Sequence, residues 1–249
     1  MRVLLIAALI GPIISAGLAQ AQDASALIKQ ADALDSQGRP FEAIQLLKQA
    51  EKTSPNDPQI LINLAEDYSD AVDASKSQSQ KLANAKLSME YAKRAVAAAP
   101  NDANAHVCLA VAYGKMTDFV GNNTKMQYSK VIKSEAEKAV ELNPGNDPAL
   151  FILARWNFDM ATLNPILKTI AESLYGQLPP ASKEKAVEYF QRAIAIAPDH
   201  IMYRAEYAKA LESMGRAQEA KSQWQKVAQL KPTDAEDRSY VAEAIKKLR

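Results

Sequence analysis

His106 and Cys108 are the first residues in this 249-residue chain whose side chains could do chemistry together. A thiolate beside an imidazole could bind a metal or attack a carbonyl. The stretch AHVCLAVAY that holds them reads as a helix, however, and positions i and i+2 of a helix point to different faces. Cys108 is the single cysteine, so no intrachain disulfide can form, and its apolar neighbours mark it as a small buried hydrophobe. His106 fills a slot suited to a large packing residue, so a satisfied core histidine is expected. His200 follows Pro198-Asp199 in a turn and is expected to be solvated. The acidic pair Glu66-Asp67 could supply a proton, but no nucleophile or second base is spaced to work with it. The chain has no G-x-x-x-x-G-K-[ST], no G-x-G-x-x-G and no H-E-x-x-H. No enzyme activity, cofactor or metal is expected.

Arg155 raises a sharper question, because it sits in the apolar run FILARWNF. A charge there needs a partner or an exit to water. Asp159 lies at i+4 and could pair with it within one helix. The alternative is an anion anchor for a ligand.

The elements that position these residues come from a repeated phrase. KQAEKTSPND, KRAVAAAPND, EKAVELNPGND, QRAIAIAPDH and QKVAQLKPTD each end a helix-like run with a proline, at Pro55, Pro100, Pro144, Pro198 and Pro232. Within 201–234, Tyr207-Ala208 and Leu211 precede Gly215, and Ala220, Trp224, Val227 and Pro232 follow it. That large-small pattern over 34 residues resembles the tetratricopeptide repeat, a pair of antiparallel helices. Residues 24–57 place Leu34, Gly38, Ala43, Leu47, Ala50 and Pro55 in the same slots. The middle repeats, 58–102, 103–146 and 147–200, keep the landmarks but lengthen the hairpin tips. The fold expected is an all-α solenoid of about five helical hairpins in one domain, 22–249, closed by a capping helix at 235–249.

Within 147–200, Asn164-Pro165 reads as a helix start and Gly176 as its end. Ile166, Leu167, Ile170, Ala171 and Leu174 share one face of this short helix. A lone helix of that length is unstable in water, so the stripe is expected to pack on its own hairpin. Ser182 should cap the next helix. Thr233 and Glu236 form a capping box for the last helix, with Val241, Ala244, Ile245 and Leu248 as its apolar stripe.

Residues 1–21 read as a signal peptide: Arg2, an apolar run, then Ala19-Gln20-Ala21 as a small-x-small cleavage site. An uncleaved N-terminal anchor is the alternative. Cleavage would leave 29 residues of each charge sign and no transmembrane span. An exported protein, periplasmic in a bacterium, is expected. The balanced charge excludes nucleic acid as a partner.

First helices of successive hairpins line a concave groove in such a stack. The residues expected to face it are Asn63, Glu66, Asp70, Asn104, Val111, Lys115, Phe151, Arg155, Phe158, Asp159 and Lys209. Their mixed character suits a protein or peptide partner; a lipid or other amphipathic small molecule is the alternative. No repeat carries the Lys/Asn pair that would clamp a terminal carboxylate.

Between Lys86 and Pro198 the chain is more specific than a generic repeat. His106 with the following LAVAYGK, the helix SKVIKSEAEKA, the ARW at Ala154 to Trp156, and the Leu-Tyr-Gly…Pro-Pro-Ala-Ser insertion resemble the regulator of microtubule dynamics family. The resemblance implies a tetratricopeptide fold without catalytic residues. Animal members are associated with microtubules and organelle contact sites, and phospholipid binding is attributed to one of them. The export signal and the lack of a long membrane anchor depart from the animal pattern.

Overall fold

The computed structural model describes residues 24–175 and 181–249. The expected signal peptide, and Gly176 as the end of the inserted helix, lie outside the described residues. Everything described is helix or connection: α1 (24–35), α2 (Pro40–Thr53), α3 (Pro58–Ala74), α4 (Gln78–Ala98), α5 (Ala103–Met116), a 3₁₀ turn (Thr117–Phe119), α6 (Asn122–Leu142), α7 (Asp147–Ala161), α8 (Pro165–Tyr175), α9 (Lys183–Ile196), α10 (Ile201–Ser213), α11 (Ala217–Gln229) and α12 (Ala235–Lys247). The hairpins are α1/α2, α3/α4, α5/α6, α7/α9 and α10/α11, with α12 packed on α10 and α11.

The repeated phrase does two jobs. Its proline ends the second helix of each hairpin, because the residue before a proline avoids helical backbone. Ala99, Asn143 and Ala197 duly leave the helix, with ψ of 72°, 96° and 74°. In all but the fourth phrase, where His200 makes no side-chain cap, its Asp or Asn then caps the next helix. Asp57 accepts from the amides of Gln59 and Ile60 (2.9 and 3.2 Å), Asp102 from Asn104 (2.8 Å), and Asn146 from Ala149 (3.0 Å).

The first and last hairpins turn alike. Gly38 and Gly215 hold φ of 69° and 74°, the left-handed region that L side chains avoid. The next amide then reaches back across the turn, Arg39 to Leu34 at 3.1 Å and Arg216 to Leu211 at 2.9 Å. The middle hairpins lengthen their helices instead: α4 and α6 have 21 residues each, against 14 in α2 and 13 in α11. Only three residues separate α3 from α4, so most of the polar stretch DASKSQSQ is helical rather than loop.

Alanines set how closely the helices approach. Ala43, Ala50, Ala92, Ala95, Ala136, Ala139, Ala186, Ala193 and Ala220 are all buried, as are their first-helix counterparts Ala65, Ala110, Ala154 and Ala208. Large side chains fill the space between hairpins: Leu47, Leu64, Leu150, Phe190, Leu211 and Trp224. The Trp224 indole N–H donates to Glu212 at 2.9 Å, which removes the cost of burying it.

Two expectations at the C-terminus change. The cap of α12 is Asp234, which accepts from the Asp237 amide at 2.7 Å, while the Asp237 carboxylate accepts from the Thr233 amide at 3.0 Å. The capping box thus lies one residue later than Thr233/Glu236, because an aspartate reaches the exposed amide as readily as a threonine. Ile245 is exposed rather than part of the stripe; Ala244, Val241, Leu248 and Tyr240 make the contact.

Helix α8 starts as its sequence predicts, with Asn164 accepting from the Leu167 amide at 2.9 Å. Ser182 caps α9 in the same way, accepting from Lys185 at 3.0 Å. Helix α8 packs within the solenoid, but chiefly on α6 of the third hairpin rather than on its own: Ala171 and Ile170 cluster with Met126 of α6 and with Trp156, Met160 and Leu163. Ile166 points away and is 72% exposed, so the buried stripe is narrower than expected. Ala171→Asp should therefore lower the thermal midpoint of the purified chain by several degrees, as a charge forced into an apolar seam. Ile166→Asp should shift it by less than about 1 °C. Differential scanning calorimetry of the two variants checks both.

Candidate functional site

Residues of three first helices meet around one pocket of about 210 Å³. Asp35 comes from the end of α1, Glu66 and Asp70 from α3, and Val107, Cys108 and Val111 from α5. Val111 also borders a larger cleft of about 400 Å³, where α5, α6 and α7 diverge. That cleft is mainly apolar: Met126, Ile132, Phe151, Ile152, Trp156, Met160 and Leu163 line it, with Lys125, Arg155 and Asp159 among its polar residues. It exists because α7 makes only sparse contact with α5, whereas α5 packs closely on α3. The Trp156 ring is held by its N–H, which donates to the Ser129 hydroxyl at 2.9 Å. Helix α8 packs on Trp156 and Met160, so the inserted helix supports the cleft wall.

The sequence-derived groove residues divide into three groups. Glu66, Asp70, Val111, Phe151, Arg155 and Asp159 line the pocket or the cleft. Lys115 and Lys209 are committed to ion pairs within the protein: Lys115 to Asp73, and Lys209 to Glu206 and Glu243 at 3.2 Å each, with its ammonium 4.7 Å from the Tyr240 ring centre. Asn63, Asn104 and Phe158 are placed otherwise than expected. Asn63 is buried between hairpins, donating to Asp32 at 2.7 Å and accepting from Gln59 at 2.6 Å. Asn104 accepts from Asn146 at 3.0 Å, where one inter-hairpin junction meets the next. Phe158 packs into the core formed with Phe190, Tyr207 and Leu211. Phe151 serves both roles: it borders the cleft and stacks on Tyr203 at 4.5 Å between ring centres.

Arg155 does not pair with Asp159. It reaches across to Glu206 on α10, a partner 51 residues away. Asp159 is left on the cleft wall, and the surrounding protein raises its carboxyl pKa. His106 is buried as expected, with Nδ1 2.6 Å from Glu135 and Nε2 2.9 Å from the Pro100 carbonyl. His200 is half-buried rather than solvated, stacked on Tyr203 at 3.7 Å, and burial lowers its pKa. Cys108 is buried; desolvation and then the nearby Glu66 push its thiol pKa well up, the opposite of an activated nucleophile.

Acidic residues dominate the N-terminal half of the groove. One turn beyond the Asn63–Asp32 contact, Asp67 of α3 faces Asp35 of α1, and the two carboxyls share a hydrogen bond. Asp67 is only 4% exposed; burial, then Asp35, pushes its pKa up to about 8. Glu66 and Asp70 are open to water on the groove side, yet protein surrounds them elsewhere. Their carboxyls are raised too, first by desolvation and then, for Asp70, by Asp35. Among the described residues, no group of three or more His, Cys, Asp or Glu is placed to hold a metal ion. None of the described helices is long and apolar enough to cross a membrane.

The profile of the family described as "Regulator of microtubule dynamics protein 1-3" matches residues 27–249. The chain belongs to the regulator of microtubule dynamics family. Regulator of microtubule dynamics protein 1 of Pongo abelii is 29% identical over 191 residues, which is 76% of this chain and 58% of that protein. Protein 3 of Rattus norvegicus is 27% identical over 230 residues, 91% of this chain and 49% of that protein. This family member thus spans about half to three-fifths of the length of those relatives. Among solved structures, a tetratricopeptide-repeat protein of Thermus thermophilus superposes with a TM-score of 0.66 at 23% identity, over 89% of this chain and 98% of its own. The tetratricopeptide-like solenoid expected from the repeats is therefore the fold.

The acid pair makes a pH prediction. Asp67 holds its proton more tightly when folded than when unfolded, where it titrates near pH ~4. Its contribution to stability is thus greatest below that pH and falls as pH rises towards 8. Asp67→Asn keeps the hydrogen bond to Asp35 without the ionisation. Its thermal midpoint should exceed the parent's by roughly 2–4 °C at pH 8, with the gain vanishing near pH 4. Melting curves across that range check the slope.

Proposed function

We propose that this protein is a non-enzymatic binding scaffold whose groove holds a segment of a protein partner. The observation that carries this reading is the apolar cleft between the third and fourth hairpins. A fold of stacked hairpins normally closes that space, and an exposed apolar concavity marks an interaction site. Gly114 supports it. It lies inside α5, where a glycine costs about 1 kcal/mol relative to alanine. No positive φ requires it, and a Cβ there would meet nothing within 4 Å. The glycine leaves the cleft open at a cost to the helix.

A second reading follows from the same cleft. An apolar hollow with Lys125 and Arg155 among its lining residues also suits an amphipathic small molecule with an anionic end, such as a lipid. The N-terminal apolar run with its Ala19-Gln20-Ala21 site supports an exported, periplasmic protein. Microtubule association, which the relatives' names carry, needs tubulin in the same compartment. The groove residues argue for a binding segment without identifying tubulin as its source.

Gly114→Leu tests the cleft, because Gly114 lines it and a Cβ there meets nothing within 4 Å, so a larger side chain adds bulk to the cleft. The variant should melt at or above the parent's midpoint and lose crosslinking to the partner recovered by a photoreactive residue at Val111. Equal crosslinking by both forms would reject groove binding. Native mass spectrometry of the freshly purified chain addresses the second reading. An added mass of several hundred daltons that disappears in Gly114→Leu would identify a bound small molecule instead.

A further inference from the structure

The two concavities that meet at Val111 differ in character, and together they specify more than a generic groove. The apolar cleft is flanked on its α3 side by the pocket containing Asp35, Glu66 and Asp70. Among the described residues, no cation forms an ion pair with any of these three. Lys115 is the nearest, and it is taken by Asp73. Glu66 accepts only a weak bond from the Cys108 thiol, at 3.4 Å. Arg155 and Lys209 are held by Glu206 and Glu243, and Lys125 lines the apolar cleft rather than this pocket. The N-terminal half of the groove thus keeps carboxyls that no cation balances, with Asp32 close to Glu66.

We infer that the groove takes a peptide segment carrying a lysine or arginine next to a bulky apolar residue, the cation entering the Asp35–Glu66–Asp70 pocket and the apolar side chain entering the cleft. This rests on the groove-binding reading above and assigns the chemistry of its partner. The pocket fits a long basic side chain by parts. Ala65, Val107, Cys108 and Val111 offer apolar surface to the methylene stem, and the carboxylates meet the charged head. A phosphate-bearing ligand would set its anion against these same carboxylates. A polyamine would satisfy the pocket and leave the cleft empty. A basic-apolar peptide alone uses both. The raised carboxyls of Glu66 and Asp70 agree with this: burial, and then neighbouring carboxyls, disfavour their charged forms, and an incoming cation offsets that cost.

A random linear dodecapeptide library displayed on phage, selected on the full chain, tests the assignment. Enriched peptides should contain Lys or Arg together with Phe, Leu, Met or Trp. A resynthesised peptide should lose about tenfold or more in affinity to the Glu66→Gln/Asp70→Asn double variant, and equally when its own basic residue is replaced by Gln. Both substitutions remove like charges, so the variant should fold at least as well as the parent; its melting curve verifies this. Enriched peptides that lack basic residues, or that bind the double variant as well as the parent, overturn the charge assignment while leaving groove binding intact. Selection that enriches nothing, or peptides that bind Gly114→Leu undiminished, overturns both.

Discussion

A two-helix hairpin cannot cover its own apolar face. Each hairpin here has one face that only the next hairpin can bury, and the alanines decide how that burial happens. Ala65, Ala110, Ala154 and Ala208 on the first helices, and Ala95, Ala139 and Ala193 on the second, let the backbones come close. Close backbones let large side chains fill each interface, Leu47 and Leu64 in the first and Phe190, Tyr207 and Leu211 in the last. Dispersion falls steeply with separation, so a larger residue at an alanine position would cost contacts along the whole seam. The stack ends only where α12 offers a polar outer face over Ala244 and Tyr240.

The long middle helices follow from that constraint and create its exception. The inter-hairpin seam is built near the proline junctions, where the repeats stay regular. Lengthening α6 by about two turns over α11 carries its N-terminal end past the seam, beyond the reach of α7's regular packing. The gap that opens is the cleft. It would be a liability left bare on both sides, and α8 answers that need by packing Ala171 and Ile170 against Trp156 and Met160. The insertion in the fourth hairpin and the extension of the third are two parts of one arrangement. One opens the wall and the other supports it from outside.

The hairpins, their order and their ends were legible because proline, glycine and alanine act locally. Pro100 stops α4 whatever lies elsewhere, and Gly215 marks its turn from backbone geometry alone. The site was legible only in part. Glu66, Asp70, Val111 and Arg155 could be placed on the groove face from helical spacing. Their partners could not. Arg155 finds Glu206, Asn63 finds Asp32 and His106 finds Glu135, over separations of 51, 31 and 29 residues. Spacing within one helix says nothing of such pairs, since the first two depend on how adjacent hairpins rotate against each other and the third on how the two helices of one hairpin meet. Asp159 lost to Glu206 for this reason. Trp156 and Met160 were missed as cleft residues because an apolar residue reads the same from sequence whether it faces a neighbour or a gap. Gly114 was the one available signal, a glycine inside a helix with no turn to explain it.

Three of the ion pairs between hairpins have a consequence beyond stacking. Lys115–Asp73 joins α5 to α3, Arg155–Glu206 joins α7 to α10, and Lys209–Glu243 joins α10 to α12. Each lies partly in water, so each adds little to stability by itself. What they do share is orientation: every one runs along the groove face, between first helices or onto the cap. Each therefore removes a cation from the surface that a ligand would meet. The carboxylates of the N-terminal half outnumber the cations available to them, and Asp35, Glu66 and Asp70 are the remainder. The groove's electrostatic preference thus follows from the same pairs that orient the hairpins. A change in stacking would alter which charges the groove presents, even with every groove residue kept.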